Sequence, residues 1–425
     1  MLARLRQSEF VANVTKVLAG NGLVVAISLF AIPIISRLYT PDDYGVIGLF
    51  ISVVAVIAVF ATLKYEMAMV LPDNESDARQ LLRATLWVAV LVALVTLVLV
   101  AVVRVCCEQT GLVQGLGHYA WWLPLAVLLS AAFKLLVNGW MIRQKQFGRM
   151  AVAEMSNSLV NIGIRIALGF WIGSTVWGLL AGLLIGFAAG LIVAFPVYRH
   201  DVRHQSGAAL FGMLRKYPEF PTYTMPADFV RTFAQNLPVI FFGFMYSPAV
   251  AGLFYMANRL IKAPVELGLH AFRGVFLQKV SAMHNDRLPL RGTYLKTMLV
   301  MLVLGIGPAF VLYGWGQELL TFVLGSDWRE AGVFAEILAP LLLSFWITSP
   351  AAMLLITLRR QNYWLAVQAT IAVLQVGVFA YAHATGQSAS WTLQVFVLVQ
   401  IVVNVLLKVL VYGLLDTDTG REELA

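Results

Sequence analysis

The chain has 425 residues, of which 60% are hydrophobic and only 12% are charged. Soluble domains carry about 25% charged residues, so this composition excludes an ordinary water-soluble protein. The formal net charge of +8 raises the question of nucleic acid, but no nucleic-acid motif accompanies it, and we expect no such partner. Positive charge spread over short loops is instead typical of a membrane protein whose loops face anionic lipid headgroups.

Apolar stretches follow one another along the whole chain, each close to the roughly 20 residues that cross a bilayer as a helix. In chain order the predicted helices are residues 17–36, 45–62, 84–103, 120–141, 152–172, 175–197, 220–246, 251–276, 294–315, 331–357, 363–385 and 391–413. The predicted fold class is therefore an all-α integral membrane protein with twelve transmembrane helices.

Basic residues alternate between the two sides of these helices. Of the 30 lysines and arginines, 21 fall at the ends and in the loops that we assign to the inside, and six lie within spans. The outside loops hold only three, Arg37, Arg104 and Arg329. Because positive loops stay in the cytoplasm, this asymmetry predicts that both termini are cytoplasmic.

An internal repeat divides the chain into halves. A Pro-x-x-x-Gly motif followed by Leu-Phe occurs twice. It begins at Pro41, with Gly45, between the first two spans, and at Pro248, with Gly252, between the seventh and eighth. Leu-Phe follows the glycine after three residues in the first copy and directly in the second. With six helices, the first half begins and ends on the inside, so both halves have the same orientation. This predicts parallel repeats related by an axis along the membrane normal. The predicted organisation is a six-helix half over 1–200, a cytoplasmic linker over 201–219 and a second half over 220–425. Three prolines in the seventh span (Pro221, Pro226 and Pro238) favour that helix as a gate, since proline permits a bend.

The loops offer no catalytic apparatus. They are short, and the sequence has no Gly-rich phosphate loop, HExxH, CxxC or GxSxG motif. The two cysteines are adjacent, and the histidines lack metal-ligand spacing except for His200 and His204, which lie in a basic loop and indicate a solvated surface. We therefore expect a protein that is not an enzyme and that uses no metal and no cofactor.

Charged residues inside the spans are costly and indicate a transport path. Asp228 and Arg231 are three residues apart and can pair on one helix face. Lys134, Arg165 and Arg259 have no acidic residue three or four positions away. Each is predicted to face a wet interior or a partner on another helix, and together they predict a central cationic cavity that accepts an anion. Arginine, with its planar donors, suits phosphate.

The stretch from Ala19 to Phe50, and above all its segment PIISRLYTPDDYG, resembles the opening of polysaccharide repeat-unit flippases of the multidrug/oligosaccharidyl-lipid/polysaccharide exporter superfamily. The architecture extends this resemblance over nearly the whole chain, although the second half matches in outline only. The resemblance implies a protein of the bacterial inner membrane that moves undecaprenyl-pyrophosphate-linked sugar repeat units from the cytoplasmic to the periplasmic leaflet. It would serve O-antigen, capsule or exopolysaccharide assembly, with a polysaccharide polymerase and chain-length machinery as partners.

Members of the family have a cationic central cavity, and the depth of Lys134, Arg165, Arg231 and Arg259 in the spans makes them the candidate substrate-binding residues here. Asp228, the acid nearest the suspected gate, is the candidate for coupling to an ion gradient. Two other functions stay open. A multidrug antiporter of the same superfamily would favour unpaired intramembrane carboxylates, and a membrane-embedded transferase or polymerase would need a larger loop with catalytic residues.

Overall fold

The structure is a computed structural model that describes residues 27–106, 115–199 and 212–422. We label its helices α1 (Ile27–Ser36), α2 (Pro41–Thr62), α3 (Tyr65–Ala68), α4 (Glu75–Cys106), α5 (Gly117–Arg143), α6 (Phe147–Ile172), α7 (Val176–Arg199), α8 (Met225–Met245), α9 (Pro248–Asn285), α10 (Arg291–Leu324), α11 (Arg329–Thr357), α12 (Gln361–Thr385) and α13 (Ala389–Glu422). The described residues contain no β-strand, so the predicted all-α class is confirmed for this part of the chain.

A helix overlaps each predicted span from 45–62 onward. The first predicted span, 17–36, lies largely outside the described residues, as do most of the predicted linker and Cys107. Eight described helices are long and apolar enough to cross a membrane, which makes the chain a multi-pass membrane protein. The total of twelve and the central cavity stay predictions.

Three helices of spanning length are more polar than these eight, namely α6, α8 and α9. They carry Arg165, Asp228, Arg231 and Arg259, four of the residues selected from the sequence. Polar helices in a membrane bundle face protein or water rather than lipid, because lipid offers no partner for a charge. Four of the candidate residues therefore lie on the helices that are least suited to contact lipid, whereas Lys134 lies on the apolar α5.

The start of α2 illustrates how local sequence defines a helix end. Thr40 and Asp43 form a capping box, in which the Thr40 side chain accepts a hydrogen bond from the Asp43 backbone (3.3 Å) and the Asp43 carboxylate accepts one from the Thr40 backbone (3.1 Å). Pro41 occupies the first turn, where its missing N–H costs nothing. The helix begins at Pro41, four residues before the predicted start.

The chain forms two compact units, Met1–Gly252 and Leu253–Ala425. In the first unit α2 packs against α4, α5, α7 and α8, and in the second α11 packs against α10 and α13. Because α8 crosses α2, it belongs with the first unit by its contacts. The division at 200 and 220 was predicted from the internal repeat, and it stays a prediction.

Helices α6 and α7 form a close hairpin whose contact surface on α7 is a row of glycines. A Cβ on Gly182 would lie 2.7 Å from Cγ of Arg165, and one on Gly186 would lie 2.8 Å from the carbonyl oxygen of Asn157. The row consists of Gly182, Gly186 and Gly190, spaced by four residues, while Gly178 one turn earlier faces the hydroxyl of Tyr39. Small residues at this spacing allow two membrane helices to approach closely, which supplies packing energy where no hydrophobic driving force exists.

The two copies of the Pro-x-x-x-Gly repeat touch one another. A Cβ on Gly45 would overlap the carbonyl oxygen of Pro248, and a Cβ on Gly252 would overlap the carbonyl oxygen of Pro41. The N-termini of α2 and α9 therefore cross at van der Waals contact, with each glycine receiving the proline of the other copy. Only a residue without a side chain fits either position.

Candidate functional site

Asp228, near the start of α8, lies between two cations. Its Oδ1 accepts hydrogen bonds from Nε of Arg231 (3.1 Å) and from Nη2 of the same guanidinium, and its Oδ2 lies 3.2 Å from Nζ of Lys64. The pairing of Asp228 with Arg231, predicted from their spacing of three residues on one helix face, is confirmed. The second cation, Lys64, comes from a distant part of the sequence.

Lys64 occupies the turn between α2 and α3. Leu63 (φ 47°) and Lys64 (φ 62°) both adopt left-handed backbone conformations, which cost free energy for residues with a side chain and persist only where the surroundings hold them. The turn directs the Lys64 ammonium to Asp228 and to Oε1 of Glu66, 3.0 Å away. The three side chains are 10–18% exposed, so the bridge from Glu66 through Lys64 to Asp228 is largely shielded from solvent.

Lys134 belongs to the same cluster. It begins the π-helical segment Lys134–Trp140 within α5, and it interacts electrostatically with Glu66, Lys64, Asp228 and Arg231. A π-helical turn inside an α-helix is often found at functional sites, because the extra residue per turn re-aims the side chains. None of these four charged neighbours is on its own helix, and the expectation that Lys134 faces a wet interior or a partner on another helix stays a prediction.

Close packing keeps α5 beside α3 at this point. A Cβ on Gly139 would lie 3.1 Å from the carbonyl oxygen of Glu66 and 3.1 Å from Cγ of Met69. Tyr65, next to Glu66, is buried in the hydrophobic cluster that includes Met69 and Trp140, and its hydroxyl donates to the carbonyl oxygen of Leu214 (2.7 Å). The backbone that carries the charges is therefore rigidly held on its apolar side.

We call these five residues the charge cluster: Lys64, Glu66, Lys134, Asp228 and Arg231. Three cations and two carboxylates leave it with one excess positive charge. The arrangement keeps each cation near a carboxylate in the absence of a ligand. An incoming anion of two or more charges can replace those carboxylates as the partner of Lys64, Lys134 and Arg231, since charge-assisted hydrogen bonds to phosphate oxygens are strong.

Arg165 lies elsewhere in the first unit. It is 6% exposed, its side chain packs on Gly182 of α7, and its carbonyl oxygen accepts a hydrogen bond from the hydroxyl of Tyr39 (2.7 Å). Burial raises the pKa of Tyr39 to about 12, so this phenol remains a donor at physiological pH. The structure thus surrounds Arg165 with the α6–α7 hairpin and the connection before α2.

Arg259 lies on α9 within the second unit and is half-buried. Of the four substrate-binding candidates, the structure brings Lys134 and Arg231 together with the coupling candidate Asp228. It gives Arg165 separate surroundings in the first unit. A single cavity lined by all four remains a prediction.

Sequence reasoning missed Lys64 and Glu66, because both follow the predicted span 45–62 and Lys64 was counted only as one of the basic residues on the inside. The available signal was weak: two charged residues directly follow the apolar helix α2. Their significance depends on α8, whose Asp228 is 164 positions further along the chain, and no local pattern predicts that contact.

Comparisons with known proteins agree with this architecture. Residues 34–333 match the family described as "Polysaccharide biosynthesis protein". The chain is 22% identical over 317 residues to the succinoglycan biosynthesis transport protein ExoT of Rhizobium meliloti (strain 1021), an alignment that covers 72% of this chain and 61% of that protein. The chain therefore spans less than two thirds of the length of this relative.

Two solved structures share the fold over nearly their full length. One is a multidrug resistance MATE transporter of the MOP superfamily in an inward-facing conformation (TM-score 0.71, 13% identity, 94% of this chain and 95% of that one). The other is the lipid II flippase MurJ in an inward closed conformation (TM-score 0.66, 12% identity, 96% of this chain and 99% of that one). The resemblance carried by PIISRLYTPDDYG is thus confirmed, and because the family match covers well over half of the sequence, the chain belongs to the polysaccharide biosynthesis protein family.

Proposed function

We propose that this protein is a flippase that moves undecaprenyl-pyrophosphate-linked oligosaccharide repeat units from the cytoplasmic to the periplasmic leaflet of a bacterial inner membrane. The product would enter O-antigen, capsule or exopolysaccharide assembly. The observation that carries the proposal is the charge cluster, because it is a partly shielded group of cations with net positive charge on helices of a multi-pass membrane protein of a polysaccharide biosynthesis family. A polysaccharide polymerase and its chain-length machinery are the proposed downstream partners.

The pyrophosphate is the part of this substrate that a cationic cluster recognises. Its oxygens compete with Asp228 and Glu66 for the guanidinium of Arg231 and the ammonium groups of Lys64 and Lys134. Arg231 presents parallel donors that suit two phosphate oxygens, whereas a lysine acts as a point charge. The carboxylates hold the cations in place before binding and keep the unliganded site from being strongly positive.

Transport is not expected to consume ATP within this chain, since the sequence has no nucleotide-binding motif. Transport would instead be driven by an ion gradient, by the membrane potential or by removal of the product outside. Asp228 lies between Lys64 and Arg231, and a carboxylate beside two cations stays ionised. We therefore favour a structural role for Asp228 over a role as proton carrier.

A flipping assay in proteoliposomes tests the function. The purified protein is reconstituted with the lipid-linked oligosaccharide of its own strain, and the fraction that becomes accessible to an impermeant glycosidase or periodate is followed with time. We expect protein-dependent flipping that falls at least tenfold in Arg231→Ala and in Lys64→Ala, because each loses a charge-assisted contact of about 1.5–3 kcal/mol.

Lys216 provides a matched control. Its ammonium lies 3.3 Å from Oδ2 of Asp77, but the side chain is 56% exposed and belongs to a surface pair. Lys216→Ala removes the same charge from the same unit and should flip at the parental rate. Equal rates for all three variants and the parent would remove the charge cluster from the proposed site.

The main alternative is a multidrug or organic-cation antiporter, which is favoured by the shared fold with a MATE multidrug transporter. In the charge cluster the carboxylates are outnumbered by cations, which disfavours a cationic substrate. Export of a fluorescent organic cation by the same proteoliposomes, without flipping of the lipid-linked sugar, would favour the antiporter. Elongation of the oligosaccharide in this assay would instead indicate the third candidate, a polymerase.

A further inference from the structure

A second polar site lies in the other unit, where α10 ends and α11 begins. Both helices are apolar enough to span a membrane and are joined by the short turn Gly325–Trp328. Their common end therefore lies at a membrane surface, whichever side that is. A cavity of about 400 Å³ opens there, within the range of small-molecule sites.

A break in α10 shapes this cavity. Trp315 has non-helical backbone angles (φ −137°, ψ 23°), which interrupts the ladder of backbone hydrogen bonds. The freed N–H of Gln317 donates to Oε1 of Glu336 on α11 (3.0 Å), and the Gln317 side-chain amide donates to Oε2 (3.3 Å). The Glu336 carboxylate thus holds the last turns of α10 in a fixed position against α11.

Gly332 makes this close approach possible. A Cβ on Gly332 would overlap the backbone of Gln317, and one on Gly316 would lie 2.6 Å from Cγ of Glu336. Beside the cavity, α10 and α11 therefore pack backbone against backbone.

The lining combines both charges with an apolar surface. It consists of Gln317, Glu318, Thr321, Phe322 and Arg329. Glu318 and Arg329 are exposed, and Phe322 is 83% exposed. One anion, one cation, two neutral hydrogen-bonding groups and one aromatic ring meet in a single recess.

We propose that this cavity binds the headgroup of a zwitterionic aminophospholipid, that is, phosphoethanolamine on its glycerol. The guanidinium of Arg329 suits the phosphate, the carboxylate of Glu318 suits the primary ammonium, and the amide of Gln317 and the hydroxyl of Thr321 supply further hydrogen bonds. The exposed Phe322 ring would contact the first carbons of the acyl chains. The site is distinct from the charge cluster, and the proposal does not depend on the flippase function.

Charge complementarity distinguishes this headgroup from the other abundant ones. An anionic headgroup such as phosphatidylglycerol would be repelled by Glu318. A choline headgroup carries the positive charge but has no N–H donors for the carboxylate. Inorganic phosphate would satisfy Arg329 alone.

Native mass spectrometry of the detergent-purified full chain tests the proposal with equimolar palmitoyl-oleoyl phosphatidylethanolamine, phosphatidylcholine and phosphatidylglycerol. We expect the parent to retain the ethanolamine lipid in preference to the other two. Glu318→Gln and Arg329→Gln should each lower that occupancy about tenfold. Glu318→Arg should shift the preference to phosphatidylglycerol.

Glu330 supplies the matched control, since it is an exposed carboxylate next to Arg329 that does not line the cavity. Glu330→Gln should bind like the parent, and a melting curve of each variant checks the fold. Equal occupancy of the ethanolamine lipid in the Glu318→Gln and Glu330→Gln variants would overturn the proposal. Displacement of that lipid by the soluble, delipidated repeat oligosaccharide would assign the cavity to sugar and would overturn it too.

Discussion

Gly45 at the start of α2 lies directly against the carbonyl oxygen of Pro248 at the start of α9, and Gly252 lies in the same way against Pro41. The two copies of the repeat read from the sequence thus contact each other reciprocally. Such an exchange, in which the glycine of each copy meets the proline of the other, is what a two-fold axis between repeats produces. The relation of the two halves by an axis along the membrane normal stays a prediction.

This crossing predicts a sharp difference between glycines. Gly45→Ala and Gly252→Ala each place a methyl group where a backbone carbonyl already lies. A backbone group cannot move aside as a flexible side chain can. Both should lower the melting temperature in detergent and reduce polysaccharide export in a complemented strain. The cost is that of overpacking, about 1–3 kcal/mol or more.

Gly163 on α6 is the control, because a Cβ there has nothing within 4 Å. Gly163→Ala should leave export unchanged and raise stability by up to about 1 kcal/mol, the gain in helix propensity. If Gly45→Ala melts and exports like Gly163→Ala, the tight crossing of α2 and α9 is wrong.

Removal of the central carboxylate should separate a structural role from coupling. Asp228→Asn preserves shape but leaves Lys64 and Arg231 without their shared partner, so we expect a loss of stability of about 1–3 kcal/mol. Flipping should persist at a reduced rate, with the parental response to an ionophore that collapses the proton gradient. A variant that flips but no longer responds to the ionophore would make Asp228 the coupling site.

Asp77→Asn is the comparison for this experiment, since Asp77 pairs with the exposed Lys216. Exposed ion pairs contribute about 0–1 kcal/mol. We therefore expect a melting temperature within the error of the parent. Similar losses in both variants would indicate a general effect of charge on stability rather than a special role of the cluster.

Arg165 and Arg259 test the wider cationic cavity. If both line an anion path with Lys134, then Arg165→Ala and Arg259→Ala should each abolish polysaccharide export while protein level stays intact. Arg→Lys should restore export only in part, because a point charge replaces a planar fork. Full export by both alanine variants would show that these arginines are structural or peripheral.

Arg165 allows a further distinction, since its side chain packs on Gly182. A purely structural Arg165 predicts that Arg165→Met, which keeps the apolar stem, restores protein level and export together. An anion-binding Arg165 predicts normal protein level without export. Immunoblotting and export measured on the same cells separate the two outcomes.

Cysteine labelling tests the orientation. Asp327 lies in the exposed turn between α10 and α11, and Asp286 lies in the exposed connection after α9. With both termini in the cytoplasm, Asp327→Cys should react with an impermeant thiol reagent in intact cells, and Asp286→Cys should react only after permeabilisation. Labelling of Asp286→Cys from outside would reverse the topology.

Hydropathy, local periodicity and capping determined much of this protein from the sequence alone. The long helices from α2 onward were predictable because a chain in lipid must satisfy its backbone hydrogen bonds within each segment, whereas the short helix α3 was not predicted. The pairing of Asp228 with Arg231 followed from the helical period, and the start of α2 at Pro41 agrees with the capping residues Thr40 and Asp43. Each of these features depends on residues within one turn or one helix.

Only the tertiary structure decided which distant residues meet. Lys64 joins Asp228, Gly45 meets Pro248, and Gln317 is held by Glu336. These contacts arise where helices cross, and the crossing depends on side-chain volumes and on glycines that allow close approach. Charge and spacing along one helix therefore identified Lys134 and Arg231 as candidates, whereas the partners that hold them were determined by packing between helices.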